Sequence, residues 1–331
     1  MLRYLILVIL FMMVTLSARA QQMPVYSQYV LNGYLINPAI TGGDGYTSFN
    51  LTARQQWLGF KDAPATRSFG GQTRLLRRSH VIKNRSVNNR SLKPSTKGRV
   101  GLGGFVYNDH NGAVDRTGVQ ASYAYHIFVK ETQFSFGLSA GIFQFRINEE
   151  DLTFGDQLIN GGSTEDPLAL SFKKVIYVPD ANLGFYITDP RFYAGISVNQ
   201  LFQSYLKLGN RQFDEFKMIR HYYIMGGYRF EISNDYFIEP SLLLKGTEKK
   251  VFQADIGTKI QYRNDYWAGL VYRTNGFLIL HAGIRFHQLY FGYAFDYMLS
   301  SIQKHTYGSH EIVIALKLGD NARRYRWLDR Y

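Results

Sequence analysis

The groups in this chain that could do chemistry are eight histidines, two charged stretches and one glycine-rich run. Ser122 and His126 share one face of an alternating segment. A serine nucleophile needs its base within hydrogen-bond reach, and four strand positions set the two about two pleat repeats apart, too far for direct contact. No third, orienting group accompanies them, so His126 reads as a polar histidine on an inward face. His281 and His287 flank a turn, while His305 and His310 share a loop region; neither pair has the spacing of a known metal site. Gly101-Leu102-Gly103-Gly104 is followed by neither a helical pattern nor the Lys-Ser/Thr that ends a phosphate loop. Strand glycines more often permit curvature or close packing. Asn111-Gly112 is a hairpin signal. With no cysteine, disulfides, thiolate metal sites and cysteine nucleophiles drop out. The residues therefore predict no catalytic, cofactor-binding or metal-ligating site.

The charged stretches offer binding instead. Arg77, Arg78, Lys83, Arg85, Arg90, Lys93, Lys97 and Arg99 have no acidic residue among them, and Ser86, Asn88, Asn89, Ser91 and Ser95 make the run flexible. Much of the net charge of +13 gathers here. An exported chain meets no nucleic acid, so the partner is acidic in another way: lipid phosphate, or the surface of a periplasmic protein. Arg77, Arg78, Lys83 and Arg85 are the candidate contacts. Residues 147–178 hold Glu149, Glu150, Asp151, Asp156, Glu165 and Asp166, closed by Lys173 and Lys174. This is either a solvated lid or a surface that docks an exported polypeptide, with Glu149, Glu150, Asp151 and Asp156 as candidate contacts.

The elements that must position these groups follow from alternation. Val119, Ala121, Tyr123, Tyr125, Ile127 and Val129 are apolar, and the intervening Gln120, Ser122, Ala124 and His126 are polar or small. Phe252 to Tyr262 repeats the pattern, with Gln253, Asp255, Gly257, Lys259, Gln261 and then Arg263 on the other face. Strand side chains alternate between faces, so each segment has one apolar and one polar side. Fourteen such segments are predicted, at 45–56, 64–76, 99–108, 114–128, 133–146, 179–188, 191–200, 219–231, 235–246, 250–263, 265–274, 277–286, 288–298 and 309–318. The fold class is all-β: a transmembrane antiparallel β-barrel of 45–318, lipid outside and water inside. Tyr and Phe number 25 and 24 against 3 Trp, which suits aromatic girdles at the two interfaces.

Turn signals at Lys130-Glu131-Thr132, Asp189-Pro190, Ser233-Asn234, Asn264 and His287 all fall at one end, and the long connections 147–178, 201–218 and 299–308 fall at the other. Short turns mark the periplasmic side, so both termini are expected there. The connection 77–98 is the exception, long yet periplasmic. Met1 to Ala20, with Arg3, an apolar stretch and Ala18-Arg19-Ala20, reads as a secretory signal peptide. Residues 21–44 lack alternation and are expected to form a lumen plug or to lie beneath the barrel. The residues expected to close the lumen are Tyr26, Ser27, Gln28, Tyr29, Asn32, Asn37 and Pro38. Residues 319–331 form a basic, aromatic periplasmic tail.

The run Pro24 to Tyr29, then Asn32 and Ile36-Asn37-Pro38-Ala39, resembles the start of the PorP/SprF family of type IX secretion system membrane proteins. The likeness continues through Gln56-Trp57-Leu58-Gly59-Phe60, Gly101 to Asn108, Ser122 to His126, Pro179-Asp180-Ala181-Asn182, His221-Tyr222-Tyr223, Glu239-Pro240-Ser241, Trp267-Ala268-Gly269 and Gly308-Ser309-His310-Glu311. The resemblance implies an integral outer-membrane protein of the type IX export machinery of gliding or pathogenic Bacteroidota. Its implied partners are periplasmic type IX components and a secreted surface protein, such as an adhesin, with its own C-terminal domain. A plugged channel for hydrophobic small molecules is the alternative from the residues; it predicts an apolar lumenal pocket. A hydrolase in the wall is the third.

Overall fold

The computed structural model describes residues 26–28, 31–75, 99–147, 175–203 and 218–318. Fifteen antiparallel segments follow one another in order: β1 (Thr47–Gln55), β2 (Ala65–Leu75), β3 (Val100–Asn111), β4 (Val114–Val129), β5 (Thr132–Ile147), β6 (Val175–Thr188), β7 (Phe192–Asn199), β8 (His221–Tyr228), β9 (Phe230–Ser233), β10 (Tyr236–Thr247), β11 (Phe252–Tyr262), β12 (Tyr266–Arg273), β13 (Phe277–Phe286), β14 (Leu289–Met298) and β15 (Ser309–Leu318). β8 and β9 are one stave interrupted at Arg229, since both pair with β10. β1 pairs with β15 from Thr47–Leu318 to Gln55–His310, which closes a fourteen-stave barrel without a free edge. Among the described residues no helix is long and apolar enough to cross a membrane. The strands cross instead.

Facing follows the side-chain period. Ile256 is 56% exposed and Ile260 49%, while Asp255, the neighbour of Ile256 on β11, is 1% exposed. Val119, Tyr123 and Ile127 likewise face out, and Ser122, Ala124 and His126 face in. Arg263 departs from the expected inward face. It sits in the β11–β12 turn with φ 51°, and its guanidinium reaches Asp235 at 3.1 Å in solvent. The tight turn takes it out of strand alternation. Exposed rings at the short-turn end, Tyr228–Phe230, Tyr236–Tyr262 and Tyr262–Tyr266, have centroids 4.6, 4.8 and 6.3 Å apart, part of an interfacial aromatic girdle.

Tight turns lie at 130–131, 189–191, 234–235, 263–265 and 287–288. The strand boundaries differ from the alternation in places. The sixth stave starts at Val175, four residues ahead of Pro179, and the third runs on to Asn111. β4 and β5 have 16 residues each, more than the roughly 9–11 that a tilted crossing needs, so this sector projects past the apolar band.

Candidate functional site

Residues 26–28 and 31–45 enter no strand and contact inward-facing side chains of the wall. Two 3-10 turns, η1 (Gly33–Leu35) and η2 (Pro38–Ile40), give the segment its local shape. Asn37 caps η2, its Oδ1 accepting from Ala39 N at 2.9 Å, and Pro38 supplies a preset φ at the first position.

Three groups of contacts hold the segment, and they run from one end of the barrel to the other. At the long-loop end, Ser27 N and Gln28 N donate to the two oxygens of Glu311 at 2.7 and 2.8 Å. The Ser27 hydroxyl donates to Asp296 at 2.7 Å. Arg54 donates to Asp296 at 2.7 Å and to Glu311 at 3.2 Å, and Arg273 forks onto Asp255 at 2.8 and 2.9 Å beside it. Arg54, Asp255, Arg273, Asp296 and Glu311 are all buried. In apolar surroundings such charges persist only when paired and hydrogen-bonded, and here each carboxylate has a cation against it. Tyr26 reaches Ser68 at the same level.

Midway, the Asn32 amide donates to Thr52 Oγ1 at 2.6 Å and accepts from Asn50 at 2.8 Å. Tyr34, edge-on to Phe105 with centroids 6.1 Å apart, is buried, and that burial pushes its phenol above the usual range. Asn37 Nδ2 donates to the carbonyls of Phe185 and Ile196 at 3.0 and 3.2 Å, tying η2 to β6 and β7. Gly137 and Gly184, register partners on β5 and β6, lie under η2. A Cβ on Gly137 would overlap the Ala39 backbone, and one on Gly184 the Asn37 side chain. At the short-turn end, Arg74 donates to the carbonyls of Gly42 and Gly43 at 2.8 and 2.6 Å, and Lys317 pairs with Asp44 at 3.3 Å.

Tyr26, Ser27, Gln28, Asn32, Asn37 and Pro38 thus all sit within the barrel, whereas Tyr29 lies outside the described residues. So do the basic candidates Arg77, Arg78, Lys83 and Arg85 and the acidic candidates Glu149, Glu150, Asp151 and Asp156. Ser27 is at the long-loop end and Asp44 at the short-turn end. The sequence of this segment has no period to reveal that direction; bonds to residues more than 250 positions away set it.

His126 does not meet Ser122. Its Nε2 donates to the Thr41 carbonyl at 3.0 Å, and its Nδ1 lies 2.8 Å from Ser135 Oγ. Ser135 is the cross-strand register partner, a neighbour that the 130–131 turn could have revealed. Both side chains are fully buried and no carboxylate orients the ring, which makes this pair a clasp on the lumenal segment. Among the described residues no cluster of His, Asp and Glu could hold a metal.

Above η1 and η2, within the projecting sector, lies a recess of about 80 Å³, partly open to solvent. Ile36 of the lumenal segment and Tyr107, Phe143 and Tyr223 of the wall give it apolar sides, and Gln120, Asp180, Asn182 and Asn199 add polar ones.

The sequence profile described as type IX secretion system membrane protein PorP/SprF matches residues 18–316. The chain belongs to the PorP/SprF family. It is accordingly an integral outer-membrane protein, and the family is a component of type IX secretion. No match was found among curated proteins. Among solved structures, the P. putida toluene transporter TodX is similar at 8% identity and TM-score 0.44, over 85% of this chain and 92% of TodX. The Acinetobacter baumannii outer membrane protein Omp33 is similar at 7% identity and TM-score 0.43, over 83% of this chain and 100% of Omp33. Scores this low carry no functional argument for this PorP/SprF member; the barrel is read from its strand pairing.

Proposed function

We propose that this family member is a non-enzymatic anchor in the outer membrane. It assists export and cell-surface attachment of a specific secreted protein, and it docks to periplasmic type IX components. The observation that supports this reading is the contact of residues 26–28 and 31–45 with the inward face of the wall, on buried ion pairs at one end and on paired glycines at the middle. A lumen with its own chain held against the wall suits a protein that holds a partner at its surfaces better than one that conducts it. An apolar-solute channel would line its path with apolar groups, whereas the inward side of β11 carries Gln253, Asp255, Lys259 and Gln261. In this reading Tyr26 to Ala39 close the lumen. The basic run with Arg77, Arg78, Lys83 and Arg85 meets the periplasmic partner, and the acidic loop with Glu149, Glu150, Asp151 and Asp156 meets the secreted one.

The test is Arg77, Arg78, Lys83 and Arg85 changed together to Gln. Each exposed charge pair is worth only about 0–1 kcal/mol, so all four must go. The barrel should stay heat-modifiable, while co-purification of periplasmic type IX components and surface display of the secreted protein both fall. Unchanged co-purification and display would assign the run to lipid phosphate instead.

A further inference from the structure

The recess above η2 contains two polar groups whose bonding the fold leaves incomplete. Asn199, 8% exposed, has its Oδ1 without a hydrogen-bond partner among the described residues. Asp180 accepts from backbone N–H groups, Ala181 N at 2.8 Å and that of Phe202, and no cation pairs with it among the described residues. Of the cations beside this recess, Arg116 stacks over Phe145 at 5.6 Å and Lys245 over the Tyr223 ring at 5.9 Å. Elsewhere in the lumen the carboxylates of Asp44, Glu239, Asp255, Asp296 and Glu311 each face a Lys or Arg. An unmatched acceptor and an uncompensated carboxylate, set among Tyr107, Phe143 and Ile36, are complementary to one chemical class: a cation with N–H donors on an apolar stem.

We infer that this recess is a binding site for a primary amine or guanidinium on an aliphatic or aromatic stem, entering from the long-loop end. Asp180 takes the charge, Asn199 Oδ1 accepts an N–H, and Phe143 and Tyr107 flank the stem. Ile36 and η2 close the floor, so the ligand docks and leaves by the same side. The chemistry fits both a Lys or Arg side chain of a polypeptide and a free organic amine. It does not depend on the secretion reading.

The experiment uses the full-length protein in detergent with three matched probes: hexylamine, hexanol, and an apolar hexapeptide with one central lysine, each titrated by calorimetry. Hexylamine or the peptide should bind at least about tenfold more tightly than hexanol, and Asp180→Asn should abolish that preference, as loss of a charge-assisted hydrogen bond predicts. Asn199→Asp, which adds a second carboxylate at the same size, should tighten amine binding severalfold; it keeps the test open should Asp180→Asn fail to fold. Preference for the peptide over hexylamine identifies a polypeptide source, and the reverse a free amine. Equal binding of hexylamine and hexanol, no binding of any probe, or insensitivity to both substitutions overturns the inference.

Discussion

The long-loop end and the middle of the lumenal segment are held by different physics. At the long-loop end, Ser27 and Gln28 are gripped by Glu311 and Asp296, whose charges are balanced by Arg54. Lower down, η2 lies on the bare backbone of Gly137 and Gly184 and against Tyr186 and Tyr193, with Asn37 as its polar tie. The first contact is strong, directional and intolerant of losing one member. The second works by shape, and the cost of disturbing it scales with the volume added. The difference teaches that a lumenal segment can be specified by charge where polar side chains converge, and by absence of side chains where they do not.

The largest effect should come from Glu311→Ala. It leaves the Ser27 and Gln28 N–H groups without their acceptor and takes one of two carboxylates from Arg54, which keeps Asp296, and each buried donor left unsatisfied costs about 1–3 kcal/mol. The midpoint for loss of the heat-modifiable band should drop sharply. A shift in Glu311→Ala no larger than that of a surface substitution would dismiss the charge-held end.

Next, the wall separates the polar lumen from lipid. Ile256→Lys places a cation on the outward face, at a cost of about 2–4 kcal/mol near the midplane. Gln253→Lys puts the same cation inside, near Asp255, and should leave assembly nearly intact. Equal loss of folded protein in the two variants would refute the facing.

The smallest effect tests the shape-held middle. Gly184→Val should cost about 1–3 kcal/mol of overpacking as Asn37 is pushed off β6. A cysteine at Ala39 should then gain reactivity toward a maleimide, while one at Ser27 stays protected. Protection at both positions would mean that η2 tolerates the added methyls and that the glycine seat is incidental.

Much of this protein was legible from its residues. Alternation at period two marked fourteen staves and assigned Ile256 and Asp255 to opposite faces, because lipid outside and polar surroundings inside act on each residue where it stands. Lys130, Asn264 and His287 marked turns because φ above zero is a local demand, met here at 55°, 59° and 56°. The tertiary structure alone decided where residues 26–28 and 31–45 lie, that His126 answers to Ser135 and Thr41 and not to Ser122, and that Asp180 has no cation against it among the described residues. Those outcomes depend on which side chains meet across a closed lumen. Glu311 and Ser27 stand 284 positions apart, and nothing in either neighbourhood encodes the other; closure of β1 on β15 brings them together.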